Sequence, residues 1–241
     1  MDRPTTIQLP PGYGSGPSEP LEQRRVGRKI FLGALGVGAA GIASGALLSP
    51  IVGGIKNATR PTGVVPGFTV YYASHIVPTF HPATWRLSVG GLVRHKLSLS
   101  YQDLLNLPAL SVYRDYQCVT GWRVPHLHWQ GVSLRTLARI AGASPSAKFV
   151  NVYCNDGLYS ESLRLPDQAF KPDVMLGYNL EGRPLVREQG APLRLVVPEM
   201  YGYKYAKWVN RVEFSTRQEL GYWEQNGYVV DAYLGANAYT L

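Results

Sequence analysis

The chain has 241 residues, 45% of them hydrophobic, enough to bury a full core as one large domain or two small ones. Its formal charge is +8, from 24 Lys+Arg against 16 Asp+Glu, which suits an anionic ligand, an acidic partner or an anionic membrane surface. The cations are dispersed and no helix-turn-helix, zinc-finger or ribonucleoprotein signature is present, which sets nucleic acid aside.

Residues 1–29 are predicted to be a disordered cytoplasmic tail, rich in Pro, Gly and Ser and ending in the basic cluster Arg24, Arg25, Arg28 and Lys29. An uncharged run follows from Ile30 to Ile55, longer than the ~20 residues that cross a bilayer. Residues 30–55 are therefore expected to form one transmembrane helix. The basic cluster before it keeps the N-terminus inside and sends the rest to the periplasmic or extracytoplasmic side. Arg28-Lys29-Ile30-Phe31-Leu32 also resembles a twin-arginine export signal, with Lys for the second Arg. With no clear A-x-A cleavage site after it, an uncleaved anchor is the preferred reading. Residues 56–66 form a short polar linker, and residues 67–241 the folded domain.

Within that domain, Trp85 to Val89 alternates like a strand and turns at Gly90-Gly91. Ser100 and Asp103 cap a short helix that Pro108 ends. Ser133 opens a second helix, Leu134 to Ile140, which Gly142 closes. Lys148 to Cys154, Val174 to Leu180, Leu193 to Val197 and Trp208 to Phe214 read as strands, with a tight turn at Glu181-Gly182. The predicted class is α+β, a mixed domain with more strand than helix and no repeats. Nicotinamide and nucleotide sites are not signalled, because neither G-x-G-x-x-G nor G-K-[ST] occurs.

Two stretches carry chemistry. Tyr116 to Trp129 reads Y-Q-C-V-T-G-W-R-V-P-H-L-H-W and sets Cys118 in a predicted loop with Arg123 downstream and Arg114 upstream. Nearby positive charge favours the thiolate, the form that ligates metal. A small buried core cysteine and a disulfide to Cys154 are the competing readings. The second stretch is Gly190 to Pro198 followed by Tyr201 to Trp208, an apolar strand entering a Tyr/Gly loop with Lys204 and Lys207. Glycine lets backbone approach a ligand closely, and lysines three apart can meet a phosphate or another anion. His126 and His128 lack thiol or carboxylate partners at metal spacing and read as structural. Asp156 reads as a turn former and Cys154 as a buried strand residue.

Together these stretches resemble the molybdopterin-binding domain of the sulfite oxidase family, from about Phe68 to Phe214. The matching pieces come in order: Tyr71-Tyr72-Ala73-Ser74-His75, Pro82 to Leu87, Gln117 to Arg123 with Trp129 to Val132, and Gly190 to Arg194 with Gly202 to Trp208. The form C-V-x-G-W-R is closer to the periplasmic methionine-sulfoxide reductase branch than to animal sulfite oxidases. The resemblance implies a molybdenum–molybdopterin cofactor with Cys118 as the protein's thiolate ligand to the metal. It implies Arg123 as the active-site arginine, and His75, Arg194, Lys204 and Lys207 as residues that hold the pterin and its phosphate. The implied activity is two-electron oxygen-atom transfer on a sulfoxide, sulfite or similar oxo-substrate.

This chain departs from the family at Ala73, where sulfite oxidases carry a further arginine, and it lacks the immunoglobulin-like domain that follows in them. No C-x-x-C-H or cytochrome b5-like haem segment is present. The electrons are therefore expected to pass to an external membrane haem protein or small cytochrome, in a larger membrane redox complex on one reading. The alternative is a cofactor-free accessory subunit of such a complex that keeps the fold without the catalysis. The aromatic tail from Leu220 is either a docking surface or packed on its own domain.

Overall fold

The computed structural model describes residues 63–234. The predicted tail, anchor and most of the linker lie outside the described residues, as do residues 235–241. No described helix is long and apolar enough to cross a membrane. In chain order the elements are β1 (Arg86–Gly91), β2 (Leu97–Ser100), α1 (Tyr101–Leu105), β3 (Leu110–Gln117), β4 (Arg123–Ser133), α2 (Leu134–Ala141) and β5 (Phe149–Cys154). There follow β6 (Ser160–Arg164), β7 (Met175–Leu180), β8 (Arg183–Pro184), β9 (Arg194–Val196), β10 (Val209–Ser215) and α3 (Tyr222–Gln225). Short 3-10 turns lie at Arg187–Gln189 and Gly202–Lys204.

The predicted elements form for the predicted local reasons. At α1 the Ser100 hydroxyl accepts from the Asp103 amide at 3.1 Å while the Asp103 carboxylate accepts from the Ser100 amide at 2.9 Å. At α2 the Ser133 hydroxyl accepts from the Thr136 amide at 3.0 Å, and Gly142 ends the helix at φ 64°. Glu181 and Gly182, at φ 55° and 70°, make the two-residue turn between β7 and β8.

Ten strands make two five-stranded sheets, giving the expected strand-rich α+β domain. The first runs β2-β1-β10-β5-β6, antiparallel except for the parallel pair β1–β10. Its register aligns Leu97, Val89, Val212 and Val152 across the sheet, and the row ends on Glu161. The second runs β3-β4-β7-β8, with β9 also on β7, all antiparallel. One of its rows is Gly131, Gly177 and Arg194. A Cβ on Gly131 would collide with the backbone of Leu176, so the close approach of β4 to β7 requires glycine there.

The stretch predicted as a loop is mostly strand. Cys118 sits in the tight connection of the β3–β4 hairpin, and Arg123 to Trp129 lie in β4 itself. The alternation that marks a strand is broken there by a register shift between Arg114 and Tyr116, with His126 at φ 53° opposite it. Strands β2, β3 and β6 likewise went unpredicted. The aromatic tail packs on its own domain. Trp223 and Tyr203 each contact the Tyr228 ring with centroids 5.0 Å apart, and the Tyr201 amide donates to the Ala232 carbonyl at 2.9 Å.

Candidate functional site

Cys118 is 8% exposed and held by its hairpin: its amide donates to the Trp122 carbonyl at 2.9 Å. Burial pushes the thiol pKa up, and the Thr120 hydroxyl, 3.2 Å from Sγ, acts the other way. The arginines expected to lower it are engaged elsewhere. Arg114 Nε donates to Asp173 at 2.8 Å, and Arg123 pairs with Asp115 with 57% of its side chain exposed. Asp115 also accepts from the His126 amide at 2.7 Å, and that bond, followed by Arg123, holds its carboxyl below the usual range. Cys154 is buried at the end of β5, and both cysteines are free, which removes the disulfide reading.

Beside the hairpin lies Arg194, the first residue of β9. It is 5% exposed, and its guanidinium carbon is 5.3 Å from the Tyr116 ring centroid, 5.7 Å from Tyr205, and 6.0 Å from Phe68 and Trp129. Nη1 donates to the Gln189 carbonyl at 3.2 Å, while Nε has no partner. The Trp129 indole N–H and the Tyr205 hydroxyl, on two of those rings, are buried and unpartnered as well. No carboxylate pairs with Arg194 among the described residues. A buried cation is ordinarily paired, and each unsatisfied buried donor costs about 1–3 kcal/mol. Cation–π contacts offset part of that cost. The arrangement still calls for an anionic, oxygen-rich ligand.

Lys207 stands next to it, since Arg194 and Lys207 are backbone bridge partners. Lys207 Nζ donates to the Tyr71 carbonyl at 2.6 Å and lies 4.3 Å from the Tyr72 centroid and 4.5 Å from Trp208. Burial, and then the charge of Arg194, push its pKa well below the ordinary lysine value. An anion bound between the two would reverse that shift. Gly190, at φ 106°, packs against Lys207, and a Cβ there would approach Lys207 to 3.0 Å.

The other residues named from the sequence stand apart from this cluster. Lys204 is 1% exposed and bound between two carboxylates, Glu161 on β6 and Glu224 on α3, the latter at 2.6 Å. That buried triad answers its charge inside the core, which corrects the expectation that Lys204 faces an anion alongside Lys207. His75 is exposed, on a segment tied down by the neighbouring Ser74 hydroxyl, which donates to the Asp156 carbonyl at 3.4 Å. Asp156 is a turn former as expected, its Oδ1 accepting from the Tyr159 amide at 2.9 Å. His126 and His128 are structural, stacked on either side of Tyr113. Sequence reading missed Tyr116, whose ring bridges the Cys118 hairpin and Arg194. Burial pushes its phenol up to about 12, so it remains a neutral donor at working pH. It missed Glu161 too, because a carboxylate on a core-facing strand position leaves no sequence signal of its partner.

These residues fit a molybdopterin: a buried soft-sulfur ligand, Cys118, faces the same region as an unpaired buried arginine and its neighbouring lysine. Residues 74–223 match the family described as oxidoreductase molybdopterin binding domain. The chain is 37% identical over 153 residues to the uncharacterized oxidoreductase YuiH of Bacillus subtilis, covering 63% of this chain and 76% of that protein. It is 34% identical over 165 residues to the protein-methionine-sulfoxide reductase catalytic subunit MsrP of Gluconobacter oxydans, covering 61% of this chain and 52% of the relative. Among solved structures it resembles the sulfane dehydrogenase SoxCD of Paracoccus pantotrophus, with a TM-score of 0.54 and 25% identity over 58% of this chain and 40% of that one. The chain thus spans about half the length of the reductase and less of the dehydrogenase. From the matched region and the residues gathered around Cys118 and Arg194, the chain belongs to the oxidoreductase molybdopterin-binding domain family, and its cofactor is molybdopterin.

Proposed function

We propose that the chain is the catalytic domain of a membrane-anchored, extracytoplasmic molybdenum oxidoreductase that reduces or forms a neutral sulfoxide. The observation that carries this reading is Arg194, buried without a carboxylate, beside Lys207 and in ring contact with Tyr116 on the Cys118 hairpin. When bound, the cofactor supplies two-electron oxygen-atom transfer at molybdenum. Cys118 supplies a thiolate ligand, and the Thr120 hydroxyl donates to that sulfur and stabilises its charge. Arg194 and Lys207 would hold the anionic end of the cofactor. The neutral phenol of Tyr116 holds its proton in the wall between thiolate and arginine.

Charge supports a neutral substrate over sulfite. Ala73 stands where a sulfite site places an arginine, and Arg123 is neutralised by Asp115. A dianion would meet one fewer cation and a second whose charge is already answered. The similarity to a methionine-sulfoxide reductase catalytic subunit points the same way. With molybdopterin as the cofactor, the cofactor-free accessory reading loses its support. The uncharged run from Ile30 to Ile55 and the basic cluster before it support the anchor and the outward orientation. With no haem motif in the chain, an external haem protein is the proposed electron partner. Metal and pterin analysis of the native protein, with steady-state assay on methionine sulfoxide and on sulfite, tests the reading. About one molybdenum per chain with preference for the sulfoxide supports it. Absence of metal, or preference for sulfite, overturns it.

A further inference from the structure

Several surface cations have carboxylate partners: Arg114 with Asp173, Arg123 with Asp115, Arg164 with Asp167 and Asp231, Lys171 with Glu199, Arg211 with Glu213. One face instead gathers unpaired cations. The loop between β1 and β2 is strapped to the C-terminal end of α2, the Arg94 amide donating to the Gly142 carbonyl at 3.0 Å and the His95 amide to Ala141 at 2.9 Å. The Ser144 amide returns a bond to the Leu92 carbonyl at 2.9 Å. This brings Arg94 and Lys96 beside Arg135 and Arg139 on α2 and Lys148 at the start of β5. All five are exposed, and none forms an ion pair among the described residues. The helix end explains a cation at Arg139. It does not explain the other four.

Between them runs a groove of about 470 Å³ that Arg135, Arg139 and Lys148 line over an apolar floor of Leu165, Pro166 and Phe170. No acidic residue lines it. The Arg135 guanidinium is fixed there by the Phe170 carbonyl and lies 5.8 Å from the Phe170 ring centroid. An occupant must therefore supply several negative charges over a broad area, with some apolar character at its base. Anionic phospholipid headgroups at a bilayer surface have that chemistry.

We propose that the face around the C-terminal end of α2 seats on anionic phospholipid headgroups and holds the domain against the bilayer in one orientation. This rests on the membrane-anchored reading, in which only residues 56–66 separate the uncharged run from the domain. A linker that short reaches at most ~40 Å, which keeps the face within range of the surface. Seating on this face leaves the Cys118 hairpin, on the other sheet, free for substrate and the electron partner.

The test uses the full chain with vesicles of zwitterionic phosphatidylcholine, and with the same lipid carrying about 30% phosphatidylglycerol. Flotation reports whether the chain is anchored, and amide hydrogen exchange of residues 92–96 and 135–148 reports the face. Exchange there is expected to slow on the anionic vesicles alone and to recover in about 0.5 M salt. The variant R94E/R135E/R139E, none of whose positions touches the cofactor pocket, is expected to abolish the slowing. Each reversal changes the face by two charges and should lower its affinity on the order of thirtyfold. Equal exchange on both vesicles, or slowing that persists in the variant, overturns the proposal. A chain that floats only with anionic vesicles, and whose charge-reversed variant does not float, upholds the lipid seat while refuting the anchor. A chain that floats with neither refutes both.

Discussion

Replacing Lys204 with methionine separates two roles that the sequence left together. In the family resemblance this lysine holds the cofactor's phosphate. In the structure it is 1% exposed and bridges Glu161 and Glu224, and Glu161 also accepts from the Ser162 amide at 2.7 Å. Two carboxylates share one ammonium, and burial raises Glu161 to about 8, so at neutral pH the triad holds one extra proton. Removing the ammonium leaves a second buried carboxylate to neutralise. At pH 7, roughly 2.7 units above an ordinary glutamate, this costs about 3–4 kcal/mol at 1.36 kcal/mol per unit. The general cost of breaking a buried pair, about 3–5 kcal/mol, agrees. Lys204→Met is therefore expected to lower unfolding free energy by about 3–5 kcal/mol in denaturant melts, with the folded fraction keeping its molybdenum. Because Glu161 binds its proton more tightly folded than unfolded, its own contribution to stability is fullest below about pH 4.5 and is lost as pH rises through about 8. Glu161→Gln is expected to remove that decline. A Lys204→Met protein of near wild-type stability that has lost its cofactor would refute this account and return Lys204 to the phosphate.

Arg194→Met is expected to reduce bound molybdopterin at least tenfold, about 1.4 kcal/mol or more, measured by metal and pterin analysis. The cofactor-free variant should melt no lower than cofactor-free wild type, since an uncompensated buried cation has gone. Cys118→Ser is expected to abolish oxygen-atom transfer with the fold intact, and Cys154→Ser to be far milder; equal effects in the same assay would remove Cys118 as the ligand. Asp115→Asn releases Arg123 and is expected to raise kcat/KM for sulfite relative to sulfoxide, on the order of tenfold, with an unchanged ratio counting against a substrate-facing Arg123. External protease on spheroplasts is expected to digest the domain, and protection beyond Lys56 would reverse the orientation.

The elements legible in the sequence were those whose ends are marked by local chemistry. Ser100 with Asp103, Ser133 with Gly142, and Glu181-Gly182 each act within a few residues, so their helices and hairpin were readable. Strands β3 and β4 were not, because Arg114 and His126, on either side of their register shift, stand where alternation requires an apolar residue. The same shift accounts for the partner of Arg123. It lets Asp115 reach both the His126 amide and Arg123, a contact eight residues apart that follows only from the hairpin register. Lys204 and Lys207 look equivalent in sequence. They differ because the 3-10 turn at Gly202–Lys204 points one into the Glu161 row of the first sheet, while the other faces Arg194 on the second.

Backbone strain falls at the same junction. Trp208 adopts φ 59°, a region costly for a bulky side chain, and it does so with its amide 3.3 Å from the Gly190 carbonyl. Its indole N–H donates to the Arg187 carbonyl at 2.7 Å and its ring stacks on Tyr72 with centroids 5.9 Å apart. Relaxing Trp208 to an ordinary conformation would break these contacts and swing Lys207 away from Arg194. The cost of roughly 1–3 kcal/mol is thus tied to keeping two cations adjacent, an arrangement that repulsion alone would undo. A fold maintains such a pair where an anion binds. That makes Trp208, which carries no charge, the residue that positions the lysine, and it centres the site on the Arg194–Lys207 pair rather than on the cysteine alone.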